Sequence, residues 1–274
     1  MAWDLSIALI QATVQVDQPQ GEDHRTVATA FLVDDPTPDG RPRTVLVTAG
    51  HVFGEMPGPQ ARIGWRTQGA DGVWRFDPKP LAIRDGATEL WVRSPSRDIA
   101  AIEVTAPPEF ARAAIPLSWL AGSDLFERYG IGPGDEVMAL GYPRGLSSNG
   151  AGFPILREGR IASYPLSPAA QFPNFLVDFN AMPGNSGGPV FLEKAPPVQP
   201  GAPPQPPASI VAGMLIQEVE QTTGRLDLGV VVQAAYVRET LALLDAPRAT
   251  TPVTPPSPPP SPQTAPSATP QTRR

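Results

Sequence analysis

One heptapeptide constrains this chain more than any other feature: residues 183–189 read Pro-Gly-Asn-Ser-Gly-Gly-Pro. Glycines on both sides of Ser186 let the backbone turn tightly and bring its N–H groups close to a bound ligand. Two such N–H groups beside a serine hydroxyl can stabilise the oxyanion of an acyl-transfer reaction. Taken alone, the segment is equally compatible with a glycine-rich turn that carries an idle serine.

Two upstream motifs supply the groups that a serine nucleophile needs. A free serine hydroxyl is a weak nucleophile and depends on an adjacent base. Residues 48–51 read Thr-Ala-Gly-His, and residues 97–102 read Arg-Asp-Ile-Ala-Ala-Ile. His51 is the candidate general base, and Asp98 is the candidate carboxylate that orients it. The three groups follow the order His, Asp, Ser along the chain.

Each upstream residue also has a simpler structural interpretation. His51 fits a buried structural histidine, and Asp98 fits the cap of a turn before a buried strand. The second histidine, His24, stands in a polar stretch that is typical of a surface. Other aspartates occur in turn-like settings and are weaker candidates for the orienting carboxylate: Asp71, Asp77 and Asp85.

Together the three motifs resemble those of the chymotrypsin-like or trypsin-like serine peptidases, and the Gly-Asn-Ser-Gly-Gly-Pro segment is most similar to the bacterial HtrA/Glu-type branch. The resemblance implies an all-β fold of two antiparallel six-stranded β-barrels with a C-terminal helix. It also implies a triad of His51, Asp98 and Ser186, and an oxyanion hole formed by the N–H groups of Gly184 and Ser186. Residues 141–143, Gly-Tyr-Pro, also resemble the opening of the second barrel in that branch.

The resemblance also suggests where a substrate side chain binds. Alignment to the family places Asn180 at the floor of the pocket and Gly229 at its mouth. The backbones of Ile216 and Gln217 are placed beside an extended substrate, which pairs with them as an added strand. A neutral floor disfavours Lys and Arg, because a buried ammonium without a counter-charge is costly. We therefore expect a small or medium uncharged side chain at P1.

Short runs rich in Val, Ile, Leu and Thr, separated by Gly, Pro and Asp, predict an all-β protein. We predict strands over residues 27–33, 44–48, 99–104, 136–140, 174–179, 190–192, 210–217 and 228–232. Helices are predicted over residues 123–129, with Ser123 as the N-cap, and over residues 234–244.

Combined with the family resemblance, this pattern predicts three domains. Residues 1–120 form the barrel that carries the histidine and the aspartate, and residues 121–245 form the barrel that carries the nucleophile. Residues 246–274 contain ten prolines and are predicted to be a disordered tail. A second stretch, residues 195–208, contains seven prolines and is expected to be solvated and extended. We expect no PDZ-like domain, in contrast to the HtrA proteins.

The composition of the chain excludes several classes of binding partner and cofactor. The chain has 274 residues, a formal net charge of −6 and no cysteine. An acidic surface disfavours nucleic acid as a partner, and the absence of cysteine excludes disulfides, thiolate zinc sites and a cysteine nucleophile. Two histidines far apart provide no metal-ligand cluster, so we expect neither a metal nor a cofactor. The expected partner is a polypeptide substrate, and the Pro-rich tail is a candidate binding segment for a further partner.

The N-terminal residues predict a strand rather than a targeting segment. The first ten residues are apolar but contain Asp4 and no Lys or Arg, where a signal peptide carries positive charge. No run approaches the ~18 apolar residues of a membrane span. We therefore expect a first strand over residues 5–16, a cytoplasmic location and no membrane partner.

Two functions are consistent with these observations. The first is a serine endopeptidase that works through an acyl-enzyme intermediate. The alternative is a catalytically silent peptide-binding or scaffold module on a protease fold, since fold does not imply function.

Deletion of residues 250–274 is expected to leave turnover of short peptides unchanged, because this Pro-rich segment has almost no large apolar side chain to pack on the barrels. The measurement compares kcat/KM and the thermal melting temperature of the truncated and full-length chains. Loss of folding or of turnover on truncation would show that the tail is structural.

Overall fold

The structure is a computed structural model that describes residues 4–21, 24–198, 203, 205–221 and 224–246. Within these ranges the chain forms one large curled sheet in each half, a small two-stranded sheet and five α-helices. The predicted Pro-rich tail lies outside the described residues from residue 247 onward, as do parts of the 195–208 stretch.

The N-terminal half contains ten strands: β1 (Thr13–Pro19), β2 (Arg25–Asp34), β3 (Thr44–Thr48), β4 (Gln60–Gln68), β5 (Trp74–Ala82), β6 (Arg84–Asp85), β7 (Thr88–Glu89), β8 (Val92–Arg93), β9 (Ala100–Glu103) and β10 (Ile115–Pro116). The main sheet has the order β5-β4-β1-β2-β3-β9-β8, with β10 parallel to β2, while β6 and β7 pair with each other. Because β8 and β10 have two residues each, six longer strands make up this sheet.

The C-terminal half contains β11 (Glu136–Gly141), β12 (Ile155–Arg160), β13 (Asn174–Asp178), β14 (Pro189–Lys194), β15 (Ala208–Gln221) and β16 (Gly224–Gln233). These six strands form one sheet in the order β12-β11-β14-β15-β16-β13. An antiparallel bridge between Ile161 and Val177 joins the two ends of this path. The sheet therefore closes on itself as a barrel, which removes its free edges.

The α-helices are α1 (Asp4–Ala12), α2 (Gly50–Gly54), α3 (Pro108–Ala113), α4 (Leu125–Tyr129) and α5 (Ala234–Ala242). The last of these buries Tyr236, Val237 and Leu241 against the core. The expected all-β class with a C-terminal helix is confirmed. None of the helices in the described ranges has the length and apolar character needed to cross a bilayer.

The predicted strand over residues 5–16 is wrong in its first two thirds, where the chain forms α1. Leu5, Leu9 and Ala12 are its buried residues, and their spacing of four and then three residues is that of one helical face. The strand β1 begins only at Thr13, whose hydroxyl donates a hydrogen bond to the Leu9 carbonyl at 2.7 Å. The apolar run alone does not distinguish the periodicity of a helix from that of a strand.

The prediction of Ser123 as an N-cap is also wrong, because α4 begins at Leu125 and Asp124 precedes it without a capping side-chain hydrogen bond. Three of the longer strands, β4, β5 and β12, were not predicted, and neither were the two-residue strands β6, β7, β8 and β10. Much of β5 is exposed and it includes Pro78 and Pro80, while β12 alternates exposed and half-buried positions. Such strands lack the apolar signal on which the prediction depends.

Arg66, on β4, joins the N-terminal helix to the second barrel. It is 1% exposed, and its guanidinium donates to the carbonyls of Ile10, Gln11 and Thr13 at 3.0, 2.9 and 2.8 Å. It also donates to the Tyr142 hydroxyl at 3.0 Å. Burial lowers the pKa of Arg66. A single side chain therefore ties together the end of α1, the start of β1 and the turn after β11.

Replacing Arg66 by Met is expected to lower the free energy of unfolding by at least about 2 kcal/mol, because several buried acceptors lose their donor at once. Urea denaturation followed by circular dichroism measures the change. Arg75→Met is the matched control on the neighbouring strand, since Arg75 forms an exposed ion pair with Asp71, and it should leave the midpoint unchanged. Equal midpoints for the wild type and Arg66→Met would contradict the structural role of Arg66.

Candidate active site

A cleft of about 480 Å³ lies where the two halves of the chain meet. His51 and Asp98 line it from the N-terminal half, and Gly184, Ser186 and Ile216 line it from the C-terminal half. The structure thus brings five of the predicted site residues together around one opening.

Strand pairing explains why His51 and Asp98 meet. Strands β3 and β9 are antiparallel neighbours, and Thr48 at the end of β3 pairs with Ala100 at the start of β9. His51 follows β3 in the first turn of α2, and Asp98 immediately precedes β9. The two residues therefore lie at the same edge of the sheet, although 47 positions separate them along the chain.

The Asp98 carboxylate binds His51 twice. One oxygen, Oδ2, lies 2.6 Å from the imidazole Nδ1, and the other, Oδ1, accepts the backbone N–H of His51 at 2.8 Å. A Cβ at Gly50 would lie 3.0 Å from Oδ1, so the small residue before His51 leaves room for this approach. A carboxylate at Nδ1 holds the proton there and leaves Nε2 as the basic nitrogen of the neutral ring.

The hydrogen bond that His51 Nδ1–H donates to Asp98 raises the pKa of His51 above its ordinary value, against the opposing effect of partial burial. For Asp98, burial by itself would raise the pKa, but the hydrogen bonds and the charge of His51 outweigh it and the pKa is lowered. Asp98 is therefore ionised at neutral pH and favours the protonated imidazole. This is the electrostatic arrangement that a general base requires when it accepts a proton during a reaction.

The loop that carries Ser186 contains two glycines with a positive φ. Gly184 has φ +94° and Gly187 has φ +90°, both in the region that side chains rarely occupy. A Cβ at Gly184 would lie 2.3 Å from the Tyr142 carbonyl oxygen, and a Cβ at Gly187 would lie 1.9 Å from the Thr29 carbonyl oxygen. The loop therefore packs its backbone directly against β2 and the turn after β11.

The peptide group between Pro183 and Gly184 has a defined orientation. The Pro183 carbonyl accepts the N–H of Arg144 at 2.6 Å. Because the N–H and C=O of a trans peptide point in opposite directions, the N–H of Gly184 points away from Arg144. Across the described part of the chain, no acceptor bonds to this N–H or to that of Ser186. Both donors are free beside the serine side chain.

The Ser186 hydroxyl donates to the Ile216 carbonyl at 3.3 Å. Within the described ranges it makes no hydrogen bond to His51. Catalytic hydrogen bonds in unliganded enzymes are often long or poorly aligned and tighten only when substrate binds. The structure therefore places the candidate nucleophile and base in one cleft without joining them directly.

Comparison with known proteins identifies the family. The family described as trypsin-like peptidase domain matches residues 28–195, more than half of the chain. The chain belongs to the trypsin-like peptidase family. No curated protein matches it.

Solved structures of HtrA-type proteases share the fold of this trypsin-like peptidase. A structure of the HtrA-type protease AlgW with a tripeptide is 16% identical, with a TM-score of 0.55 over 89% of this chain and 64% of that one. An inactive serine-to-alanine mutant of Rv3671c from M. tuberculosis H37Rv is 18% identical, with a TM-score of 0.50 over 90% of this chain and 93% of that one. This chain thus spans about 64% of the length of the AlgW structures it matches. The expected two-barrel fold is confirmed.

The predicted pocket residues do not all line the cleft. Ile216 lines the cleft, but Asn180 is not among the lining residues. The Asn180 backbone carbonyl accepts a hydrogen bond from Arg157, and its side-chain Oδ1 is buried with no donor in the part of the chain that the structure describes. Its neighbour Ala181 faces the cleft instead.

Gly229 lies behind the cleft wall rather than at its surface. A Cβ there would lie 2.7 Å from Cδ1 of Leu215 and 3.5 Å from Cβ of Ala181, and both of these residues line the cleft. Gln217 pairs with Val230 in the β15–β16 ladder, and its side chain lies outside the described part of the structure.

Sequence analysis missed most of the cleft wall. Apart from Glu55 these residues carry no ionisable group, so only the tertiary fold reveals that they face the opening. The one sequence signal was their position in or beside predicted features: the strand over residues 27–33, the histidine motif and the serine loop. They are Thr26, Val27, Ala28, Val52, Glu55, Ala181, Met182 and Pro183. In the described residues, no cluster of His, Asp or Glu side chains is arranged to hold a metal ion.

The His51 imidazole is expected to titrate above the ordinary value of ~6.5, and Asp98→Asn should lower its pKa, because the neutral amide removes the charge that stabilises the imidazolium. NMR titration of the ring protons measures both values. The chain has only two histidines, so a His24→Gln variant assigns the signals. An unchanged His51 pKa in Asp98→Asn would contradict the pairing.

Proposed function

We propose that this chain is a serine endopeptidase that hydrolyses peptide bonds through an acyl-enzyme intermediate on Ser186. One observation carries the proposal: a histidine held by a carboxylate and a serine flanked by two free backbone N–H groups line the same cleft. The family match and the shared fold of HtrA-type proteases support the same reaction class.

In the first half of the proposed reaction, Ser186 Oγ attacks the carbonyl carbon of the scissile peptide while Nε2 of His51 takes the hydroxyl proton. The carbonyl oxygen becomes an oxyanion and accepts hydrogen bonds from the N–H groups of Gly184 and Ser186. The Asp98 carboxylate stabilises the imidazolium that forms. The imidazolium then protonates the leaving amine, and the C–N bond breaks to leave an ester on Ser186.

In the second half, a water molecule takes the place of the amine. His51 removes a proton from that water as it attacks the ester, and a second oxyanion forms in the same hole. The proton returns to Ser186 Oγ when the ester bond breaks, which releases the acid and restores the free enzyme. The cycle requires Ser186 Oγ to leave the Ile216 carbonyl, where it lies 3.3 Å away in the free protein, and to bond to His51.

The proposed P1 pocket is the apolar part of the cleft. Ala181, Met182 and Leu215 line it, whereas the ionisable residues of the lining all come from the N-terminal half: His51, Glu55 and Asp98. An apolar wall favours a small or medium uncharged side chain and provides no counter-charge for Lys or Arg. The preference expected from Asn180 thus has support from its neighbours in the cleft.

Ser186→Ala is expected to lower kcat on a fluorogenic peptide by at least about 10³-fold, and His51→Ala should be comparably damaging because triad members act as a unit. Ser167→Ala is the matched control, since its hydroxyl donates to Glu127 at an exposed position. Turnover retained in purified, folded Ser186→Ala would refute the assignment. A wild-type protein that binds the peptide without cutting it would support the alternative, a silent binding module.

Peptides with Val at P1 are expected to be cut at least about 10-fold faster than otherwise identical peptides with Arg at P1, as measured by kcat/KM. Asn180→Asp should raise the relative rate for Arg if Asn180 lies beneath the pocket. Asn174→Asp, the same substitution at an exposed position on β13, is the control. Faster cleavage after Arg by the wild type would overturn the pocket assignment and leave the triad standing.

A further inference from the structure

Thr29 occupies the junction between the two barrels but lies outside the cleft lining. It is a β2 residue with 0% of its surface exposed, and its two flanking alanines, Ala28 and Ala30, are also buried. We propose that Thr29 is a positioning residue whose hydroxyl holds the oxyanion hole in its working orientation. The inference rests on the peptidase function proposed above and extends it to a residue that does not touch substrate.

Three hydrogen bonds connect Thr29 to the second barrel. Its backbone N–H donates to the Ser186 carbonyl at 3.0 Å. Its hydroxyl donates to the Gly184 carbonyl at 2.7 Å and accepts the N–H of Tyr142 at 3.0 Å. The Thr29 hydroxyl is therefore both a donor and an acceptor. All three bonds are to backbone atoms of the C-terminal half.

A fourth hydrogen bond connects the same residue to strand β3, which precedes the candidate base. The Thr29 carbonyl accepts the hydroxyl of Thr48 at 2.7 Å. Thr48 is itself fully buried and stands three residues before His51. Thr29 thus lies between the segment that carries the general base and the loop that carries the nucleophile, and it bonds to both.

The Thr29 hydroxyl restricts the backbone of Gly184, which has no side chain to restrict it. Glycine has more backbone freedom than any other residue, and here it adopts φ +94°. The peptide group before it is fixed by the bond from Arg144 N–H to the Pro183 carbonyl at 2.6 Å. The peptide group after it is fixed by the bond from the Thr29 hydroxyl to the Gly184 carbonyl. Together the two bonds fix the direction of the Gly184 N–H, the proposed oxyanion donor.

Thr29→Val tests the hydroxyl with little change in shape, because valine replaces it with a methyl group. The Gly184 carbonyl and the Tyr142 N–H then lose their partner, and the Gly184–Asn185 peptide keeps only the bond from the Asn185 N–H to the Met182 carbonyl at 3.0 Å. We expect kcat to fall by about 10- to 100-fold, since small displacements of a catalytic group have effects of that size. KM should change by less than about threefold, because the side chain does not reach the cleft surface.

Thr29→Ser restores the hydroxyl and should recover most of kcat. Thr240→Val is the matched control: Thr240 is 1% exposed in α5, and its hydroxyl donates to the Tyr236 carbonyl at 2.7 Å. It removes an equally buried threonine hydroxyl without touching the serine loop, so kcat should stay at the wild-type value.

The experiment measures kcat and KM on one fluorogenic peptide, together with the inhibition constant of the matching peptide aldehyde, whose adduct with serine carries an oxyanion. Thr29→Val should weaken aldehyde inhibition in parallel with the loss of kcat. Unchanged kcat in folded Thr29→Val, or equal losses in the Val and Ser variants, would overturn the inference while the activity of the wild type stands.

Two further outcomes are decisive. If Thr29→Val does not fold, Thr29→Ala replaces it, and failure of both to fold assigns the hydroxyl to folding and overturns the positioning role. Turnover by the wild-type protein is measured first. If the wild type has none, the proposed peptidase function is refuted, independently of the role of Thr29.

Discussion

The close approach of the serine loop to its neighbours is the constraint on which the rest of the site depends. A Cβ at Gly184, Gly187 or Gly188 would lie 2.3, 1.9 or 2.1 Å from a backbone carbonyl oxygen, so only glycine permits these contacts. The contact at Gly187 is with β2 of the N-terminal half, and the other two are with β11 and the turn that follows it. Backbone contact across the junction, rather than side-chain packing, therefore sets the position of Ser186 relative to His51.

The two halves contribute different parts of the proposed chemistry. The N-terminal half holds the charged pair, in which Asp98 binds His51 through both the ring and the backbone. The C-terminal half supplies the hydroxyl and the free N–H groups, with an apolar wall beside them. Since neither half has both sets of groups, the site exists only while the barrels are held together. Arg66 links α1 to the second barrel, because it donates hydrogen bonds to the end of the helix and to the Tyr142 hydroxyl. Contacts of α1 therefore also help to hold the two barrels together.

Sequence analysis predicted the parts of this account that depend on local chemistry. The glycines around Ser186, the residues before His51 and the strand after Asp98 each have a local cause. The eight strands predicted between residues 27 and 232 are present, with ends shifted by at most four residues. The helix at residues 4–12 was missed because most residues of this run are apolar. The residues that are buried, which have helical spacing, are known only from the structure. Strand β5 was missed because its residues are largely exposed. The role inferred for Thr29 depends on contacts more than 100 residues away along the chain, which no local pattern contains.

Covalent labelling by a fluorophosphonate tests the central claim most directly, because such a probe reacts with a serine only where a base and an oxyanion hole activate it. Intact mass and peptide mapping of the labelled protein report the site. We expect one adduct, on Ser186, which forms at wild-type speed in Ser167→Ala and is lost in His51→Ala. A folded wild-type protein that remains unlabelled, or one labelled at another serine, would contradict it.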